Sequence, residues 1–175
     1  MVTFEPILTK RRLGRAPVTL PEPATGEIEP PVYRRILVPL DHTSLDRLAV
    51  GHAAALARTH GSTLHLFHVE EGVTSQVYGS LASDAEVEAG LEYLERIAQS
   101  LRKDGINVIT EVTHSSDPKR EIVKYARQIL PDLLIMGAHG HRRLKDLVFG
   151  DTINPVRHEL RIPILIVRDA IERRP

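Results

Sequence analysis

Short apolar runs alternate with stretches of helical periodicity along most of this chain, and this alternation limits the possible folds more than any other feature. Five runs, at residues 34–40, 64–69, 106–112, 133–136 and 164–167, read as strands. Strands that alternate with helices predict an α/β fold with a mostly parallel sheet. Because crossovers between parallel strands are right-handed and such strands are apolar on both sides, helices are expected on both faces.

Helix signals occupy the stretches between the runs. The first helix is predicted from a cap at Thr43 or Ser44 to about Thr59, with His52 as a partly buried, hydrogen-bonded side chain rather than a ligand. The residues predicted to share its inner face are Leu45, Leu48, Ala49, His52 and Leu56.

The second helix is predicted to follow a loop at residues 71–81. It begins at a capping box formed by Ser83 and Glu86, and Gly105 ends it. Its apolar face is expected to comprise Val87, Leu91, Leu94, Ile97, Ala98 and Leu101.

The third and fourth helices are shorter. Asp117 followed by Pro118 is a cap with a first-turn proline, and Pro131 stops the third helix. The residues expected to be buried by that helix are Ile122, Val123, Ala126 and Ile129. A fourth helix is predicted at residues 152–160, with Pro155 near its start.

Proline content divides the chain near Val32. Six of the 12 prolines lie at or before Pro31, and no apolar period runs through this stretch. Residues 1–31 are therefore predicted to be a flexible proline-rich tail or linker, residues 32–170 the folded domain, and residues 171–175 a short C-terminal tail. A basic cluster in the tail, Lys10, Arg11, Arg12 and Arg15, fits either a solvated segment or one that lies beside a membrane.

Composition excludes several classes of protein. The formal net charge is +0, so the overall charge gives no reason to expect a nucleic-acid partner. There is no cysteine, so disulfides and thiolate metal sites are ruled out. No apolar run approaches the roughly 20 residues that span a bilayer. A cytoplasmic location is predicted, with the cytosolic face of a membrane as the alternative that the basic cluster leaves open.

Candidate binding residues follow three of the predicted strands. In open parallel sheets, ligands bind at the carboxyl ends of strands, near the switch in strand order. The segments there are Pro39-Leu40-Asp41, Val69-Glu70, and Met136 to Gly140 with Gly150 beyond it. The glycines of the third segment are consistent with a phosphate cradle before a helix start, and equally with the turns of any compact α/β domain.

Four segments together resemble the universal stress protein family. Gly137, Gly140 and Gly150 reproduce the spacing of that family's nucleotide motif: two residues between the first pair and nine between the second. ILVPLD at residues 36–41 resembles its opening strand, and FHV at 67–69 and PILIVR at 163–168 resemble later strands. The resemblance covers about residues 33 to 168, in the family's order.

The resemblance implies an open five-stranded parallel sheet of order 3-2-1-4-5, with a Rossmann-like arrangement of helices. It also implies ATP, as bound in the family's ATP-binding members, and a magnesium ion is expected only as one carried by the nucleotide phosphates. Asp41 and Val69 would line the adenine end, Met136 and Gly137 would flank the ribose, and Gly140, Gly150 and the next two residues would hold the phosphates. The candidate binding residues are Pro39, Leu40, Asp41, Val69, Met136, Gly137, His139, Gly140, Gly150, Asp151 and Thr152. His139 and His141 are not expected to form a structural metal site, because nothing completes their coordination.

The motifs and the resemblance together predict a nucleotide-responsive regulatory or stress-response protein, not an enzyme. An accessory domain tethered or fused to a membrane transporter, without bound ATP, is the alternative. Nucleotide hydrolysis is a third hypothesis, but no base or water-positioning group accompanies Asp41. A homodimer is expected through strand 164–167, because an apolar edge strand invites pairing.

Asp151 departs from the family pattern, which has Ser or Thr at this position. A carboxylate accepts hydrogen bonds only and is negative, so it opposes a phosphate, although Thr152 can substitute one residue later. We expect Asp151→Ser to raise the affinity for magnesium ATP about tenfold or more, because a hydroxyl donor replaces a negative charge. Calorimetric titration of both proteins tests this. A wild type that already binds in the low micromolar range, with a variant no tighter, contradicts it.

Overall fold

The computed structural model describes residues 28–71, 80–138 and 152–168, and the chain separates into two units, Met1–Pro30 and Pro31–Pro175. In the first unit the described residues, 28–30, are exposed and have no regular structure. The second unit contains the helices and strands of the described residues, in an order that alternates the two types. These are β1 (Arg35–Leu40), α1 (Leu45–His60), β2 (Thr63–Glu70), α2 (Ser80–Lys103), β3 (Asn107–His114), α3 (Pro118–Ile129), β4 (Leu133–Gly137), α4 (Ile153–Glu159) and β5 (Ile164–Val167).

The five strands form one parallel sheet of order β3-β2-β1-β4-β5. The predicted fold class and strand order are therefore confirmed. β1 lies at the centre, paired with β2 on one side and β4 on the other. β2 and β3 lie on one side of β1, whereas β4 and β5 lie on the other side. The β1–β4 pair is therefore the topological switch point of the sheet.

Two apolar clusters cover the two faces of the sheet. One packs α1 and α2 against alternate strand residues such as Val38, Leu66 and Ile135. The other packs α3 and α4 against the opposite set, including Leu37, Phe67 and Leu134. Consecutive strand residues thus enter different cores, which is why the central strands are apolar without alternation.

Several predicted helix ends are found. Asp117 caps α3 through its carboxylate, which accepts a hydrogen bond from Arg120 N at 3.2 Å, and Pro118 begins the helix. Gly105 follows α2 with a φ of +78°. α3 ends before Pro131, and Leu130 closes it in the left-handed region with a φ of 49°.

The predicted inner face of α1 is wrong at two positions. His52 is exposed, and Leu48 is 37% exposed. The buried stripe instead runs through Leu45 and a set of alanines, Ala49, Ala53, Ala54 and Ala57. Small side chains allow the helix to lie close to the sheet, so the alanines rather than the larger Leu48 determine which side faces inward.

The start and face of α2 also differ from the prediction. The helix begins at Ser80, so Ser83 lies inside it and the predicted loop at 71–81 overlaps its first residues. Leu91 is 41% exposed, whereas the neighbouring Gly90 is buried. A Cβ on Gly90 would lie 3.0 Å from His68 Cδ2. The missing side chain lets α2 approach β2 at Gly90, and this contact turns Leu91 outward.

Candidate functional site

The ends of β1, β2 and β4 meet at the carboxyl edge of the sheet, where ligands of open α/β folds bind. Asp41 follows β1 directly, Glu70 ends β2 and Gly137 ends β4. The sheet therefore brings the first two predicted segments and the described start of the third, Met136 and Gly137, to one edge.

The loop between β1 and α1 is held in a defined conformation. His42 has a φ of 60°, in the left-handed region that few residues other than glycine adopt. The hydroxyl of Thr43 donates to Asp41 Oδ1 at 2.7 Å. Asp41 is half-buried, so its carboxylate lies at the surface of the edge with one oxygen oriented by a neighbour.

Asp46, in the first turn of α1, is the polar centre beneath this loop. It is 5% exposed. Its Oδ1 accepts from Asp41 N at 3.2 Å, and its Oδ2 accepts from His42 N at 2.9 Å and from the hydroxyl of Tyr93 at 2.8 Å. Burial raises the pKa of Asp46 to about 6, and the nearby Asp41 carboxylate adds to the rise, while the hydrogen bonds from Tyr93 and the Asp41 backbone oppose it. The pKa of Tyr93 is raised, first by burial and second by the hydrogen bond to the Asp46 carboxylate.

His68, on β2, holds the same loop from the other side. Its Nδ1 lies 2.8 Å from Leu40 O, and its Nε2 lies 3.0 Å from Glu70 Oε2. The exposed His42 ring stacks on it with centroids 4.1 Å apart and also contacts Tyr93. Both ring nitrogens therefore face acceptor oxygens, the Leu40 carbonyl on one side and the Glu70 carboxylate on the other.

The remaining predicted site residues have varied environments. Leu40 and Met136 are buried in opposite cores, and Pro39 and Val69 are partly buried. Thr152 precedes α4 and its side chain makes no capping hydrogen bond. The predicted phosphate residues His139, Gly140, Gly150 and Asp151 lie outside the described part of the chain. Among the described residues, no group of three His, Asp or Glu side chains is arranged to hold a metal ion.

Gly137 has little room for a side chain. A Cβ there would lie 3.0 Å from Leu45 Cβ and 3.3 Å from Leu45 Cδ1, at the start of α1. We expect Gly137→Ala to lower the free energy of unfolding by about 1–3 kcal/mol, the usual cost of overpacking. Urea titration measures this. The matched control is Gly51→Ala in α1, where nothing lies within 4 Å, and which should stabilise by about 0.5–1 kcal/mol. Equal effects of the two changes would contradict the expectation.

Sequence reasoning missed Asp46 and Tyr93, and it assigned no role at the site to His42. Asp46 lies three residues after Thr43, a spacing close to that of a capping box, and this was the available local signal. Tyr93 carries none, because its partner is 47 residues away in the sequence.

A family model described as the Universal stress protein family matches residues 32–168. Universal stress protein MJ0577 of Methanocaldococcus jannaschii is 25% identical over 156 residues, covering 78% of this chain and 96% of that protein. Its structure, the subject of a structure-based assignment of biochemical function, superposes with a TM-score of 0.72 over 79% of this chain and 98% of that one.

Two more distant structures share the fold and contain nucleotides. A universal stress protein in complex with cAMP, 19% identical, has a TM-score of 0.54 and covers 80% of this chain and 100% of that one. One from Archaeoglobus fulgidus in complex with dAMP, 17% identical, has a TM-score of 0.53 and covers 77% and 98%. No helix within residues 28–71, 80–138 and 152–168 is long and apolar enough to cross a membrane.

Proposed function

The chain belongs to the universal stress protein family, and from this premise we propose that it is a regulatory protein that binds an adenine nucleotide, ATP with magnesium in the first place. The observation that carries the proposal is the organised β1–α1 loop at the switch point. It presents Asp41 at the carboxyl edge beside the ends of β2 and β4. Because the loop is already ordered without a ligand, little free energy is spent on ordering it when a ligand binds.

The chemistry of the ligand is supported by the structures of the same fold that contain cAMP and dAMP. These two nucleotides share an adenine base and a phosphate group. The half-buried Asp41 carboxylate is an acceptor suited to the exocyclic amine of adenine, which guanine lacks at that position. We propose that Asp41 reads the base and that the glycine-rich segment after β4 receives the phosphates. Binding would shift a conformational equilibrium rather than start a reaction.

Calorimetric titration with magnesium ATP, cAMP and GTP tests this function, together with mass spectrometry of nucleotide released from the denatured protein. Adenine nucleotides should bind more tightly than GTP. Asp41→Asn should weaken binding about tenfold or more, because a hydrogen bond that involves a charged group contributes about 1.5–3 kcal/mol.

The control for Asp41→Asn is Asp132→Asn. Asp132 lies at the amino edge of the sheet, where its Oδ2 accepts from Arg34 N at 2.7 Å and from Arg35 N at 2.8 Å. Nucleotide affinity should not change in this variant. Absence of binding by the wild type refutes the proposed function, whereas equal affinities of the wild type and Asp41→Asn refute the role of Asp41 in reading the base.

We also propose that the protein forms a homodimer through β5. This strand is at one end of the sheet, paired with β4, and Ile164, Leu165 and Ile166 are only partly buried. An apolar edge strand is a template for pairing, and a two-fold axis makes the contact self-complementary. We expect a dimer by light scattering at micromolar concentration and a monomer after Ile166→Lys. A monomeric wild type, or a variant that is still dimeric, contradicts this.

A further inference from the structure

We infer that Asp46 is a positioning residue of the proposed nucleotide site: its ionised carboxylate holds the β1–α1 loop in the conformation that presents Asp41, and its protonation releases the loop. The inference rests on the proposed function, because the site it regulates is the one assigned there. Asp46 itself is buried beneath the loop and is not assigned a contact with the ligand.

The geometry behind this inference is a carboxylate bound by two successive backbone amides. Asp41 N and His42 N both point at Asp46, at 3.2 and 2.9 Å, one to each oxygen. Successive N–H groups converge on one anion when the intervening backbone enters the left-handed region, as His42 does at a φ of 60°. The loop conformation and the negative charge of Asp46 therefore depend on each other.

The loop, α2 and β2 each contribute titratable groups near Asp46, and the end of β4 contributes none among the described residues. From the loop, the Asp41 carboxylate repels it and the His42 ring covers Tyr93. From α2, the Tyr93 hydroxyl donates to Oδ2 at 2.8 Å. From β2, the His68 ring stacks on His42 and contacts both Glu70 Oε2 and Leu40 O. The β4 end approaches α1 through Gly137 and the apolar Leu45.

Protonation changes what Asp46 can accept. As a carboxylate it accepts three hydrogen bonds on two oxygens, but a carboxylic acid has one oxygen that donates. One amide or the Tyr93 hydroxyl must then lose its acceptor or reorient. Burial raises the pKa of Asp46 to about 6. A small fall in pH near this value therefore increases the protonated fraction of Asp46 and decreases the population of the held loop.

The first test needs no ligand. In the full chain, the amide proton shifts of Asp41 and His42 should titrate together in NMR spectra, with a midpoint near pH 6. Asp46→Asn should abolish this titration. Tyr93→Phe should move its midpoint to higher pH, because the Tyr93 hydrogen bond lowers the pKa of Asp46. Asp132→Asn is the matched control, since that carboxylate also accepts from two successive amides but at the amino edge, and it should leave the midpoint unchanged.

The second test measures cAMP affinity against pH, because the charge of its phosphodiester is constant across this range. Wild-type affinity should fall about tenfold at one pH unit below the midpoint, where about a tenth of the molecules have the ionised carboxylate. Asp46→Asn should remove this dependence, and Asp132→Asn should retain it.

The outcomes separate the two proposals. Loop amides that titrate unchanged in Asp46→Asn, or that do not titrate in the wild type, overturn the role of Asp46. A wild type that binds no nucleotide at any pH refutes the proposed function, and the amide titration still decides whether Asp46 holds the loop. Variants must first give wild-type circular dichroism, so that unfolding does not imitate loop release.

Discussion

Replacing Asp46 with asparagine should remove about 3 kcal/mol of the pH dependence of the free energy of unfolding between about pH 4 and pH 6, at about 1.4 kcal/mol for each unit of pKa shift. The pKa of Asp46 is raised from 3.8 to about 6, first by burial. Between these values the folded protein keeps a proton that the unfolded chain releases. The stability that Asp46 contributes is therefore full below 3.8 and is lost as the pH rises through about 6.

Urea titrations at a series of pH values measure this effect, and the difference between wild type and Asp46→Asn isolates it from the other titrating groups. Asparagine cannot ionise, so the variant should gain stability relative to the wild type as the pH rises across this range. Parallel curves for wild type and Asp46→Asn would show that Asp46 has the same affinity for protons in both states.

Phe67→Ala should lower the free energy of unfolding by about 3–5 kcal/mol, the usual cost of deleting a buried aromatic ring. Phe67 is 2% exposed and belongs to the cluster between the sheet and α3 and α4. Its ring stacks on Tyr125 of α3 with centroids 4.5 Å apart and planes 12° apart. The truncation removes this contact and leaves a cavity that neighbouring strands restrict, because β2 is paired on both sides. Thermal and urea unfolding of the variant measure the loss.

Two controls separate the cavity from other causes. Phe67→Leu keeps most of the volume and should cost about 1 kcal/mol. Tyr125→Phe removes the hydroxyl that lies 3.3 Å from His65 Nδ1 but keeps the stacked rings, so it should also have a small effect. A loss below about 1 kcal/mol for Phe67→Ala would mean that the core closes around the missing ring.

The amino-acid sequence by itself determined the class of fold and placed the described candidate residues at one edge of the sheet. Five apolar runs matched the five strands, and Asp117 with Pro118 marked the start of α3, because these signals depend on neighbours within a few residues. The sequence also placed Asp41 and Gly137 at strand ends. In a parallel sheet all such ends lie on one edge, so a correct strand order suffices to bring them together.

Only the tertiary structure decided which sides of α1 and α2 face inward and what holds the β1–α1 loop. His52 is outside and the alanines are inside because close approach to the sheet favours the smallest side chains. The bonds of Asp46 to Tyr93 and of His68 to Leu40 O join residues 47 and 28 positions apart. Such contacts have no periodicity in the sequence. They arise from the closeness of the helices to one another and to the sheet, which packing alone determines.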